Sequence, residues 1–408
     1  MTPNVSACEA SNRFSRRSFL NLALAASATA ACGTILTESL LARPSSHRYP
    51  KDAVAIDSNE NPLGPSQAAR DAVAAIICDG GRYSDWLTEE LIGTYAATEN
   101  IPADHIAVYP GSSEPLHYGV LAFTSPSRSY VTANPGYEAG MHAAEIAKAT
   151  VVKVPLTRTY SHDVKAMLAQ APDAGLFYIC TPNNPTGTLT SHSDIEYMVE
   201  HKPQSSVVMV DEAYIHFADG ATSAIDLVKA GKDVIVLRTF SKIYGMAGLR
   251  CGFAIARPDI LQKVRDFQGW NAMPITAIVA ANASLKDAAL VPERKKINAA
   301  TRQHVFDWLR TNGYWFIPSQ SNCFMLDTRR DGKEAIAALR KQNVYVGRSW
   351  SVMPTYVRVT IGTPAEMDRF QAAFAQVMKG SVMGKMINLL DKPRKYADGL
   401  NTNGYRFG

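Results

Sequence analysis

The chain has 408 residues, 46% of them hydrophobic and 19% charged, with a formal net charge of +5. This composition supports a large packed core divided into two or three domains and excludes wholesale disorder. The basic excess is mild and no Lys/Arg block is interleaved with aromatics, which argues against nucleic acid as a partner.

The first 42 residues differ from the rest. Ser15-Arg16-Arg17-Ser18-Phe19-Leu20 precedes an uncharged, Ala-rich stretch through Thr37, a pattern similar to a twin-arginine export signal. It predicts a periplasmic protein delivered by the twin-arginine machinery, or one anchored in the membrane if the segment is retained. Cleavage after Ala30 and cleavage after Ala42 both fit, and Cys32 is a candidate for lipidation. Beyond the signal, Cys78, Cys180, Cys251 and Cys323 each lie in or beside an apolar run. None has a Cys-x-x-Cys or metal-ligand spacing, so all four are expected to be buried thiols and no metal site is expected.

From residue 54 onward, short apolar runs read as strands at 54–56, 106–109, 130–132, 151–154, 176–180, 207–210, 234–237 and 251–255. Stretches of helical period lie between most of them, such as 67–77, 114–123, 137–148 and 193–201. The alternation predicts an α/β fold, a mostly parallel sheet with helices on both faces and ligands outside the strand carboxyl ends. After Met273 the pattern changes: two long helices (274–285 and 292–311) lead to a strand-helix-strand-strand-helix series. This predicts a large domain over 82–275 and a smaller α+β domain built from 48–81 and 276–379. Residues 380–408 read as a loosely ordered extension, or as an arm that packs on a partner subunit.

Five clusters fall at predicted strand ends. Gly111-Ser112-Ser113-Glu114 opens a helix, where backbone N–H groups and hydroxyls suit a phosphate. Tyr137, after Asn134-Pro135-Gly136, offers a face for a planar ring. Thr181-Pro182-Asn183-Asn184-Pro185-Thr186-Gly187 is a rigid loop that presents Asn184. Asp211 closes an apolar run and is desolvated unless it meets a cation; Tyr214 follows it. Ser241-Lys242 stands between two apolar runs, where burial favours the neutral amine that Schiff-base chemistry needs, and Arg250 adds a cation between Gly248 and Gly252. Each cluster alone has a structural explanation. Together they supply what pyridoxal 5'-phosphate requires: an amine (Lys242), a carboxylate for the ring nitrogen (Asp211) and donors for the phenolate oxygen (Asn184, Tyr214). Tyr137 adds the ring face, and Ser112, Ser113, Ser241 and Arg250 the phosphate cup.

This set resembles the fold-type I, class I/II aminotransferases. Asn59-Glu60-Asn61-Pro62-Leu63-Gly64-Pro65, Arg82-Tyr83 and Val357-Arg358-Val359-Thr360-Ile361-Gly362 are similar to the histidinol-phosphate aminotransferase branch, and the resemblance spans Ala53 to Met378. It implies transfer of an amino group between an L-amino acid (histidinol phosphate, or an aromatic or related amino acid) and a 2-oxo acid. Lys242 is then the Schiff-base lysine, assisted by Asp211 and Tyr214, and Arg358 binds the substrate α-carboxylate. Tyr83 reaches the cofactor phosphate of a neighbouring subunit, which implies a homodimer with shared active sites. Asn61 and Gly64 lie at the substrate mouth. Arg348 meets the substrate's distal anionic group, with the indole of Trp350 crowding or lining that pocket. The alternatives are a lyase, racemase or cyclase on the same fold, and a non-catalytic periplasmic binding protein.

Overall fold

The computed structural model describes residues 49–269 and 272–379; the signal region and the C-terminal extension expected from the sequence lie outside the described residues. The strands in chain order begin with β1 (Val54–Ile56), β2 (Ile106–Tyr109), β3 (Ser129–Asn134) and β4 (Val151–Pro155). They continue with β5 (Ala174–Cys180), β6 (Val207–Asp211), β7 (Val234–Thr239) and β8 (Gly252–Ile255). Among the described residues, seven of these form one sheet in the order β2-β8-β7-β6-β5-β3-β4. Its pairs are parallel except at β8, which runs antiparallel to both β2 and β7. The sheet is therefore mostly parallel, as expected.

Strands β5, β6 and β7 are buried along their whole length. That is why they read as unbroken apolar runs: with helices on both faces, neither side chain set meets water. The parallel strands all end on one edge of the sheet. Because β8 is reversed, its N-terminal end lies on that same edge, which brings Arg250 and Cys251 beside the turns that follow β2 and β7.

The remaining strands are β9 (Phe316–Ile317), β10 (Cys323–Asp327), β11 (Val344–Val346) and β12 (Tyr356–Thr360). β9, β10 and β12 form an antiparallel sheet with β10 in the middle, and β1 pairs in parallel with β11. Two main hydrophobic cores result. The first surrounds the large sheet; it includes Ala69 of helix Gln67–Ile76 and Ala277, Ile278, Ala280 and Ala281 of helix Ile275–Lys286. The second joins Val54 and Ile56 to Phe324, Leu326, Val357, Phe370 and Phe374.

Two features depart from expectation. Helix Asp85–Glu99 was not among the anticipated elements; it buries Leu87, Leu91 and Tyr95 along one line, while Trp86, Ile92 and Ala96 spread apolar character around it and blur the period. Cys180, Cys251 and Cys323 are buried as expected, but Cys78 is exposed on the turn Ile77–Asp79. The apolar run before Cys78 belongs to the preceding helix, and the cysteine lies past its end.

Candidate active site

Asp211 is the last residue of β6 and is 4% exposed. Its register partner on β5 is Cys180, so Tyr178, two residues back, lies on the same face of the sheet. Tyr178 Oη donates to Asp211 Oδ2 at 2.8 Å, and the Ala213 N–H donates to Oδ1 at 3.0 Å. Burial raises the Asp211 pKa above its ordinary value; these two donors and the Lys242 amine act in the opposite direction. A carboxylate held this way, below the sheet edge, is matched to a cationic ring nitrogen.

Lys242 stands on the turn after β7, half-buried, with Nζ 5.5 Å from the ring centroid of Tyr214. Burial, and after it the guanidinium of Arg358, lowers its pKa from 10.5 to about 8. Tyr214 is itself buried, and its hydroxyl accepts from Asn59 Nδ2 at 3.0 Å. Thr360 orients that amide: its Oγ1 accepts from the Asn59 N–H at 2.9 Å and donates to Asn59 Oδ1 at 3.1 Å. With Asn59 donating to it, Tyr214 keeps its own proton for an acceptor in the pocket.

The residues expected to hold a phosphate lie close together. Gly111, Ser112 and Ser113 turn from β2 into helix Ser113–Phe123, and Ser113 Oγ is 3.2 Å from Tyr137 Oη. Ser241 Oγ accepts from Arg250 Nη1 at 3.3 Å and from Thr239 Oγ1 at 3.0 Å. Arg250 adopts φ +63° and is fastened by the carbonyls of Ala247 (2.9 Å) and Pro110 (3.1 Å). A side chain at Gly252 would come within 2.7 Å of Gly111 C and 2.8 Å of Ser112 N, so only glycine lets the two turns converge here.

On the opposite wall, Arg358 of β12 donates through Nη1 to Asn184 Oδ1 at 2.9 Å and through Nη2 to the Asp57 carbonyl at 2.5 Å. The remaining amide nitrogen of Asn184 is the group that can donate to a phenolate oxygen. Asn61 Nδ2 donates to the Ile243 carbonyl (2.9 Å), and Arg294 ties that same carbonyl (3.0 Å) to Gly64 O (2.6 Å). Asn61 and Gly64 are thus joined to the lysine turn. Arg348 is ion-paired with Glu138. Tyr83 is 89% exposed.

The site thus gathers Asp211, Tyr214, Lys242, Asn184, Arg358, Tyr137, Ser112, Ser113, Ser241 and Arg250, and leaves Tyr83 at the surface. Sequence reasoning did not single out Tyr178, Thr239 or Glu138, and took Asn59 only as part of a motif. None of these had a local signal; the shared face of Tyr178 and Asp211 emerges only with the β5–β6 register. The residues present fit pyridoxal phosphate. A cup lined by serines and an arginine, which a single Cβ would close, stands beside a carboxylate whose pKa is raised by burial.

Residues 51–374 match the model of the family "Aminotransferase class I and II". The chain is 33% identical over 340 residues to a histidinol-phosphate aminotransferase of Moorella thermoacetica, covering 80% of this chain and 86% of that protein. It is 34% identical over 333 residues to an aromatic amino acid aminotransferase of Cutibacterium acnes, covering 81% and 94%. Its fold superposes with a TM-score of 0.74 and 25% identity on a histidinol-phosphate aminotransferase from Sinorhizobium meliloti in complex with pyridoxal-5'-phosphate, covering 80% and 91%. The chain belongs to the class I and II aminotransferases and is a pyridoxal phosphate-dependent enzyme.

Proposed function

We propose that this aminotransferase takes its amino group from histidinol phosphate or an aromatic or related L-amino acid, passes it to a 2-oxo acid, and works as an exported homodimer. The observation that carries the chemistry is the placement of a lysine amine of lowered pKa beside Arg358 and across from the buried Asp211. When bound, pyridoxal phosphate supplies an aldehyde that captures amines and a ring that accepts the electron pair released at Cα.

The chain's own residues do the rest. Arg358, already oriented by Asn184 and Asp57, holds the substrate carboxylate and so fixes where Cα lies. Lys242 Nζ, neutral in part of the population at physiological pH, takes the Cα proton; the cation of Arg358 nearby opposes its recharging until then. Asp211 would keep the ring nitrogen protonated, and its two donors keep the carboxylate aimed. Tyr214 and Asn184 would donate to the phenolate oxygen, Tyr137 would cover the ring, and the cup of Ser112, Ser113, Ser241 and Arg250 would hold the phosphate.

Visible absorbance of the holoenzyme should shift on adding an amino acid and return on adding a 2-oxo acid. Lys242→Ala should lower turnover by at least about 10²-fold; full turnover in that variant would remove the reading. A lyase, racemase or cyclase would not regenerate the starting spectrum with an oxo acid.

Shared active sites are supported by Tyr83, which protrudes with Trp86 (61% exposed) and Ile77 (59% exposed) and can reach a second copy. A native mass corresponding to one chain would contradict this. Export is supported by Arg16-Arg17 and its flanking residues. Replacing both arginines by lysine should retain the protein in the cytoplasm, and unchanged periplasmic accumulation would overturn the signal.

A further inference from the structure

Helix Leu290–Thr311 joins the two cores, with Leu290 packed in the first and Val305, Phe306 and Leu309 in the second. Arg294, Asn298 and Arg302 recur at four-residue spacing and so share one face of it. That face is polar yet turned inward: Arg294 is 7% exposed and Arg302 9%. Arg302 Nη1 donates to Asn298 Oδ1 at 3.2 Å and to the Ser321 carbonyl at 2.9 Å. The next residue, Asn322, donates through Nδ2 to the carbonyls of Asn59 (3.1 Å) and Glu60 (3.2 Å). Through Arg302 the helix therefore supports the start of the substrate-mouth loop, residues 59–64.

Arg294 holds the other end of that loop directly. Its Nη2 donates to the Gly64 carbonyl at 2.6 Å, and its Nη1 to the carbonyl of Ile243, the residue after Lys242, at 3.0 Å. Among the described residues it has no carboxylate partner, so a nearly buried cation is held by carbonyl dipoles. Burying a charge without a counter-ion is costly, and departures of this kind concentrate at functional sites. The lysine turn is closed by the Gly245 N–H, which donates to the Lys242 carbonyl at 3.0 Å. A Cβ on Gly245 would collide with the Gly64 carbonyl and lie 2.9 Å from Arg294 Nη1, so loop, turn and guanidinium are in close contact.

We infer that Arg294 is a positioning residue for the transamination: by bridging the mouth loop to the lysine turn, it makes the seating of a substrate and the placement of Lys242 Nζ a single event. This rests on the aminotransferase reading and deepens it. The planar fork of a guanidinium suits the task, since its two terminal nitrogens reach carbonyls on two separate segments. Without it, the hydrogen-bonded tie between loop and turn reduces, among the described residues, to the bond from Asn61 Nδ2 to the Ile243 carbonyl. The same loop carries Asn59, the donor to Tyr214, so its displacement reaches the tyrosine as well.

The test compares wild type, Arg294→Met and, as a control on the same helix, Lys295→Met, whose lysine ties Ala218 and Asp219 instead. Half-reactions of the holoenzyme use whichever of L-phenylalanine, L-glutamate and L-histidinol phosphate reacts best with wild type. Arg294→Met should raise the half-saturating donor concentration and lower the limiting rate constant, each by at least about fivefold. Loss of folded protein would lower only the amplitude. Hydrogen exchange of the cofactor-free proteins gives a readout independent of turnover: residues 59–65 and 243–246 should exchange faster in Arg294→Met, with residues 207–211 unchanged. Lys295→Met should match wild type in both measurements. Arg294→Lys keeps the charge without the fork; it should show the same changes to a smaller degree, and serves if the methionine variant does not fold. Unchanged half-saturation in a folded Arg294 variant, or unchanged exchange in those two segments, overturns the inference. If no amino acid alters the cofactor absorbance of wild type, the aminotransferase reading falls, and the exchange measurement still decides whether Arg294 holds loop to turn.

Discussion

One carboxylate and one amine, held where water is scarce, set the rest of the site. Burial works on both in the direction of neutrality, raising the pKa of Asp211 and lowering that of Lys242. For Lys242 the shift is useful in itself, since only the unprotonated amine is a nucleophile or a base. For Asp211 it creates a demand for a cation, which a protonated ring nitrogen would meet. Both groups are placed by the same device, the ends of adjacent strands β6 and β7 in a sheet buried on both faces. Any change that let water into that edge would relax both shifts together.

The two cores divide the work. The large sheet carries Lys242, Asp211, Tyr137 and the cluster of Ser112, Ser113, Ser241 and Arg250, while the second core carries the arginines proposed to face the substrate, Arg358 on β12 and Arg348 on the loop before it. Asn59 and Asn184 join the halves: the first hydrogen-bonds Tyr214 and Thr360, the second Arg358. Cofactor chemistry and substrate choice can therefore vary separately. Glu138 crosses the same divide, since it comes from the large-sheet side and pairs with an arginine presented by the other.

Much of this was legible in the sequence, because the chemistry sits at strand ends and the strands are unbroken apolar runs. Asp211, Asn184 and Lys242 were marked as polar residues that terminate such runs, a placement tolerated only with a partner. Residues whose role depends on a distant contact were not legible. Tyr178 reads as one more apolar residue until its register with β6 is known, and Asn59 is separated from Tyr214 by 155 positions. Arg348 was expected to await an anion; nothing local to it foretells a carboxylate from the far wall. Helix Asp85–Glu99 escaped for another reason: its single buried line is diluted by apolar neighbours.

The depressed pKa of Lys242 is the claim on which the chemistry rests. The unfolded chain binds a proton at this lysine up to about pH 10.5 and the folded one only to about pH 8. Between those values the unfolded state carries more protons, so this group's contribution to stability rises as pH rises through the window and is least below it. The most direct measurement is the rate of acylation of Lys242 in the cofactor-free protein as a function of pH, read by peptide mapping against exposed lysines. A midpoint near pH 8 at Lys242, below the ordinary lysine value of 10.5, is the expected result. A Lys242 midpoint indistinguishable from that of the exposed lysines would contradict the account.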